Sequence, residues 1–167
     1  MALKPDFFLG GVQHVDWYMN VAGEKGEFVC INNATSPSGA GMDQSEAVAF
    51  KHLTAGGDGG VASGVVRPLG VLMTDVVSID LTRQHINQYK DEVSIGSKVW
   101  ILGNSNWVVT NAIRAGITPA IGDTAILAPS GQLTNVGSHG VSGAQAVGRF
   151  LSVKDENGYA KVLVDIR

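Results

Sequence analysis

The chain has 167 residues, 22 of them glycine, with 16% charged residues and a formal net charge of −3. That length suits one domain, and the 12 basic residues are too dispersed for the clustered positive footprint that DNA or RNA binding needs. No run approaches the roughly 20 apolar residues of a membrane-spanning helix, and the single cysteine, Cys30, can make neither an intramolecular disulfide nor a metal site alone.

Glycine loses more backbone freedom on folding than any other residue and is disfavoured inside helices. Its scatter between short Val/Ile/Leu runs predicts many strands joined by tight turns. Residues 1–20 come first and show no clean period. Phe7, Phe8, Leu9, Val12, Val15, Trp17, Tyr18 and Met19 crowd apolar and aromatic side chains together, while Pro5 and Gly10-Gly11 discourage a helix. The segment reads either as an opening strand that packs its own core or as an arm that lays aromatic side chains on a partner. Asp6 stands where a secretory leader would be apolar, so folding in a cytoplasm is the expectation.

Glu27 to Ile31 reads as a strand, with Cys30 a small core residue within it. Asn32 to Gly41 is a loop by its Asn, Ser, Pro and Gly content. Asp43 to Leu53 supports two types. Asp43 with Glu46 three residues on fits a capping box, whereas Val48, Phe50 and His52 alternate with Ala49 and Lys51 as in a strand. The β character of its surroundings favours the strand. Thr54 to Gly64 is glycine-rich but holds neither GxGxxG nor GxxxxGK[ST], so it reads as a loop rather than a phosphate cradle.

Val65 to Met73 reads as a buried strand interrupted at Pro68, which predicts a sheet edge or a strand starting after the proline. Asp75 to Asp80 stays apolar, and the polar run Thr82 to Asp91 predicts a surface excursion. Two similar units follow. Ile95–Leu102, a Gly103–Asn106 turn and Trp107–Asn111 are echoed by Ile121–Leu127, Pro129-Ser130-Gly131 and Gln132–Asn135. Two successive hairpins are the economical reading, with a type I turn at Pro129. The C-terminus predicts a third hairpin. Val147–Val153 and Tyr159–Ile166 flank a turn in which Asn157-Gly158 supplies positive φ. In its second strand Ala160, Val162, Val164 and Ile166 face one way, and Tyr159, Lys161, Leu163 and Asp165 the other.

Chemistry-bearing patterns are sparse. No serine sits in a Gly-x-Ser-x-Gly elbow, and Gly137-Ser138-His139-Gly140 lacks the pattern. His14-x-Asp16 is the only close pairing of a histidine with a carboxylate, with no second such pair to complete a site. The acids gather in apparent turns, Asp91-Glu92 and Asp155-Glu156, where solvated residues are expected. No catalytic, cofactor or metal residues are assigned. Arg149 interrupts an apolar strand, and it reads equally as an anchor for a neighbour's carboxylate or as an edge residue reaching solvent. The predicted fold is mainly β: a compact antiparallel β-sandwich or β-barrel-like domain over residues 21–167, with residues 1–20 as an N-terminal arm or first strand, and little helix.

Three stretches carry a resemblance. They are Pro68-Leu69-Gly70-Val71-Leu72-Met73-Thr74-Asp75-Val76-Val77; then Lys90-Asp91-Glu92-Val93 followed by Trp107-Val108-Val109-Thr110-Asn111; then Val147-Gly148-Arg149-Phe150-Leu151-Ser152 with Asp155-Glu156-x-Gly158-Tyr159-Ala160-Lys161-Val162. In order and spacing they resemble tailed-phage head decoration, or capsid cement, proteins. The resemblance covers residues 65–166 and leaves the N-terminal part outside.

It implies a non-enzymatic, β-rich virion protein on the outer surface of the capsid, made in the host cytoplasm. It further implies homotrimers that bind the major capsid protein, with no cofactor, nucleic acid or membrane partner. Such a role asks for contact area with aromatic anchors rather than a cleft. Phe7, Phe8, Trp17 and Tyr18 are the candidate anchors, with Arg149 beside them as a candidate contact; Trp100 and Trp107 are candidate anchors too, though a core role suits those two better. Another virion component, of the tail tube or fibre base, is the alternative. A small trimeric β-fold nucleotide hydrolase is a remote one, for which no glycine-rich motif with Asp and Tyr is found.

Overall fold

A computed structural model describes residues 3–8, 10–19, 21–32, 48–50, 66–78, 92–139 and 146–166. The protein is mainly β. Its strands are β1 (Leu3–Phe8), β2 (Gln13–Met19), β3 (Phe28–Asn32), β4 (Val48–Phe50), β5 (Val66–Leu72), β6 (Asp75–Val77) and β7 (Glu92–Ser94). They continue with β8 (Lys98–Leu102), β9 (Trp107–Thr110), β10 (Thr124–Leu127), β11 (Leu133–Thr134), β12 (Ala146–Phe150) and β13 (Ala160–Val164).

These strands form two layers. One is a closed barrel in the order β2-β4-β3-β5-β8; the other is a six-stranded sheet in the order β1-β9-β13-β12-β10-β11. A parallel pair, β6–β7, adjoins the barrel through a bridge between Gly23 and Val76. Both architectures expected of the sequence are therefore present, the barrel in one layer and a sandwich-like stacking between the two.

Side-chain alternation explains how the layers meet. Along β3, Phe28 and Cys30 point one way and Val29 the other; along β5 Val71 opposes Leu72; along β8 Leu102 opposes Ile101. The first set joins Val108, Ala125, Leu127, Leu133, Val147, Phe150, Val162 and Val164 in a core between barrel and sheet. The second set joins Met19, Leu69, Val76 and Val99 inside the barrel. Strands with both faces buried read as unbroken apolar runs, which is how Phe28–Ile31 of β3, Leu69–Leu72 of β5 and Val99–Leu102 of β8 read. Cys30 is fully buried in this interlayer core.

Several expectations are corrected here. The segment 1–20, read as an arm or a strand, holds two strands of the body. β1 pairs with β9 at the edge of the sheet, and β2 pairs with β8 and β4 in the barrel. Pro68 does not end β5 or place it at an edge. Pro68 lies opposite Cys30 of β3, while pairing with β8 begins only at Val71, so the missing N–H costs no ladder bond on that side. A bulge follows directly: Cys30 faces Pro68 and Val29 faces Gly70, leaving Leu69 as the extra residue. The region from Asp43 to Leu53 contains strand β4, and the rest of it lies outside the described residues, as do the loop 54–64 and the excursion 82–91.

Of the three predicted hairpins, two are present. β10 pairs with β11 and β12 with β13, both antiparallel. The turn before β11 is not type I, because Ser130 and Gly131 both take positive φ, 61° and 68°. In the last hairpin Gly158 has φ of 81°, and the Asp155 carboxylate accepts the N–H groups of Asn157 and Tyr159 at 2.9 and 2.8 Å. The remaining unit, β8 and β9, is no hairpin. β8 belongs to the barrel and β9 to the sheet, so its turn carries the chain from one layer to the other.

That turn is held by Asn106, which is fully buried. Its amide donates to the carbonyls of Val12 and Gly103 at 2.8 and 2.9 Å, and its oxygen accepts the Gly11 N–H at 3.0 Å. Gly11 and Val12 lie between β1 and β2, the other place where the chain changes layers. Asn104 adds the C-terminus, exchanging two bonds with the backbone of Ile166 at 2.7 and 2.9 Å. A buried amide with its partners satisfied rigidifies the junction, whereas one left unmet would carry a desolvation cost.

Candidate partner interface

Four strands of the six-stranded sheet, β9, β10, β12 and β13, bury one face and leave the other open. Along β13, Ala160, Val162 and Val164 are buried while Lys161 and Leu163 are partly exposed; along β9, Val108 and Thr110 are buried while Trp107 and Val109 are not. β12 places Phe150 inward and Arg149 outward, and β10 places Ala125 and Leu127 inward with Thr124 outward. This is the pattern of an antiparallel sheet with one face packed and one solvated.

Register assembles the outward residues into rows. Trp107 lies opposite Leu163, Leu163 opposite Arg149, and Arg149 opposite Thr124. In the next row Val109 lies opposite Lys161, whose carbonyl accepts the Leu151 N–H at 2.7 Å. The Lys161 ammonium sits 3.4 Å above the centre of the Trp107 ring, a cation–π contact that holds the two side chains together on the surface. Directly opposite strand residues have Cβ atoms about 5 Å apart, so each row is a continuous surface.

A turn stands at one margin of this face. Ile121 is 71% exposed at its tip. Gly122 N–H bonds the Phe150 carbonyl at 2.8 Å, and Phe150 N–H returns to the Asp123 carbonyl at 2.9 Å. The Asp123 carboxylate accepts the Ala120 N–H at 2.9 Å and the Asn135 amide at 2.7 Å. Those two bonds, the Ala120 one foremost, hold its carboxyl below the ordinary value of 3.8, against a smaller opposing effect of burial.

The residues singled out in the sequence are divided between the sheet and the barrel. Phe7 and Phe8 are in β1, opposite Val108 and Trp107. Trp17 and Tyr18 are in β2 of the barrel. Trp17 is half-buried against the barrel's inner cluster and meets His14 edge-on, with ring centres 6.5 Å apart. Tyr18 is half-buried beneath Lys98, 5.7 Å from ring centre to ammonium. Arg149 is exposed, on the outer face of the sheet. Trp100 packs on the interlayer core, and its indole Nε1 is buried with no hydrogen-bond partner among the described residues. Trp107 departs from its expected core role and lies on the outer face under Lys161.

Sequence reasoning missed that Lys161 and Leu151 share a face with Arg149, and it favoured the core for Trp107, which shares that face too. The alternation of each strand was visible, but the register that aligns Arg149, Leu163 and Trp107 was not. Among the described residues no group of three or more His, Cys, Asp or Glu converges on a metal-binding geometry, and no helix is long and apolar enough to cross a membrane. No protein-family model matches the chain, and no curated protein matches it either.

Proposed function

We propose that the protein is a capsid decoration protein, a non-enzymatic virion component that binds the major capsid protein on the outside of a phage head. The observation that carries this reading is the ordered set of resembling stretches, which lies on β5–β6, β7 and β9, and the β12–β13 hairpin. The two-layer β body supports it, because cementing a shell calls for broad contact faces. An open sheet face with an aromatic residue, leucines and two cations is of the kind that packs on a partner. A homotrimer is the expected assembly.

The test uses heads of the encoding phage prepared without this chain. Purified protein is expected to bind them at a fixed number of copies and to raise the temperature at which they rupture. Heads that bind none, and whose rupture temperature is unchanged, would refute the reading.

A further inference from the structure

We infer that the outer face of the six-stranded sheet is the docking surface, and that it takes an acidic, partly apolar segment of the shell protein, with Arg149 reading a carboxylate. The inference rests on the decoration reading and names the chemistry of its partner. The chain is acidic as a whole, with 15 Asp and Glu against 12 Lys and Arg. Along β9, β10, β12 and β13 the outward positions hold two charged residues, Arg149 and Lys161, both cations, with Asp165 just past the end of β13 on the same side. Two cations within this face of a negative protein suit an acidic partner.

Between the two cations the surface is apolar. Leu163 separates Arg149 from Trp107, and Leu151, 38% exposed, flanks Lys161. Lys161 is already drawn onto Trp107, whereas Arg149 is exposed and projects from a rigid strand beside Leu163. A guanidinium presented this way offers a planar fork to a carboxylate, and the leucines and Trp107 exclude water around it. Twofold self-pairing is disfavoured, because it sets the same face against itself and so brings the cations together.

The experiment measures binding of the full chain to heads prepared without it. Arg149→Glu and Leu151→Glu are compared with Arg67→Glu, an exposed position on barrel strand β5 that makes the same charge change as the first. Arg149→Glu and Leu151→Glu are each expected to weaken binding by at least about tenfold, with Arg67→Glu unchanged. Circular dichroism and unfolding midpoints check that all three variants fold; should Leu151→Glu not fold, Leu151→Ser replaces it. Wild-type binding that survives both outer-face substitutions overturns the inference and leaves the decoration reading intact. No wild-type binding overturns the reading, and the inference falls with it. Loss of a homo-oligomer in Arg149→Glu without heads present also overturns the inference, since the face would then hold a second copy of the chain.

Discussion

The barrel and the six-stranded sheet use the same kind of strand to opposite ends. In the barrel, β3, β5 and β8 bury both faces, one toward the barrel interior and one toward the sheet. In the sheet, β9, β12 and β13 bury one face and present the other. The side chains of Phe28–Cys30, Leu69–Leu72 and Val99–Leu102 are committed to packing, which leaves that part of the sequence little room for anything else, while Arg67 and Lys98 stay exposed. The sheet's outer positions carry no such constraint, and there a tryptophan, a lysine and an arginine stand side by side. The barrel is the support, and the sheet is where a surface can be specified.

The sharpest test asks whether the two layers fold as one. Phe28 belongs to the barrel wall and Phe150 to the sheet, and both fill the interlayer core. Phe150→Ala and Phe28→Ala are each expected to cost about 3–5 kcal/mol, read from urea unfolding. Because the layers share that core, each variant should still unfold in a single transition. Two separate transitions would show that barrel and sheet are independent.

Gly148→Ala follows in size. A Cβ at Gly148 would lie 1.8 Å from the Leu163 carbonyl oxygen, against backbone that cannot move away cheaply. A loss of about 2–3 kcal/mol is expected. Gly70 faces the Leu102 carbonyl oxygen at 2.1 Å in the barrel, so Gly70→Ala should match it, and unequal costs would show one layer to be more yielding. Asn106→Ala removes the bonds that tie both layer crossings together, for about 2 kcal/mol. Its effect should appear in hydrogen exchange at Gly11, whose N–H loses its acceptor. Lys161→Met lifts the cation from Trp107 and should cost only about 0.5–1 kcal/mol, without altering the fold.

A pH effect is confined to the sheet's margin. The folded-state pKa of Asp123 is depressed, so its contribution is present above the ordinary carboxylate value of 3.8. It is lost as pH falls below that value through the folded pKa. Protection of the Ala120 amide, relative to its intrinsic exchange rate at each pH, should therefore fall in acid, and Asp123→Asn should flatten that dependence. An Ala120 amide with the same acid response in the variant would remove Asp123 from the explanation.

What could be read from the sequence divides along physical lines. The β12–β13 hairpin was legible because local signals agree: Asn157-Gly158 closes the turn and alternation assigns the faces. The β10–β11 pair was legible as a hairpin, though Ser130 takes a left-handed conformation that a serine does not advertise. β8 and β9 looked alike as a unit and were not one, because periodicity reports that a segment is extended and says nothing about its partner. Asn104-Ser105-Asn106 reads as an ordinary turn. That Asn106 is buried and bonded to residues near 11 depends on contacts far apart in sequence. At the candidate interface, Arg149 stood out as a charge in an apolar strand, but Trp107 looked like core because an aromatic residue beside Val108 and Val109 gives no sign of which face is covered.

The pairing of β1 has a consequence for how the chain is made. Leu3 lies opposite Thr110, so the first strand finds its neighbour only after the whole barrel sequence has been synthesised. Closing so long a loop is entropically costly and makes folding slow. Until then β1 waits with its backbone groups unpaired. Lys4, Pro5 and Asp6 within it are the residue types that discourage a stray strand from adding to an open edge. The same residues that blunt the finished sheet's edge would guard the nascent chain against joining its neighbours before β9 emerges.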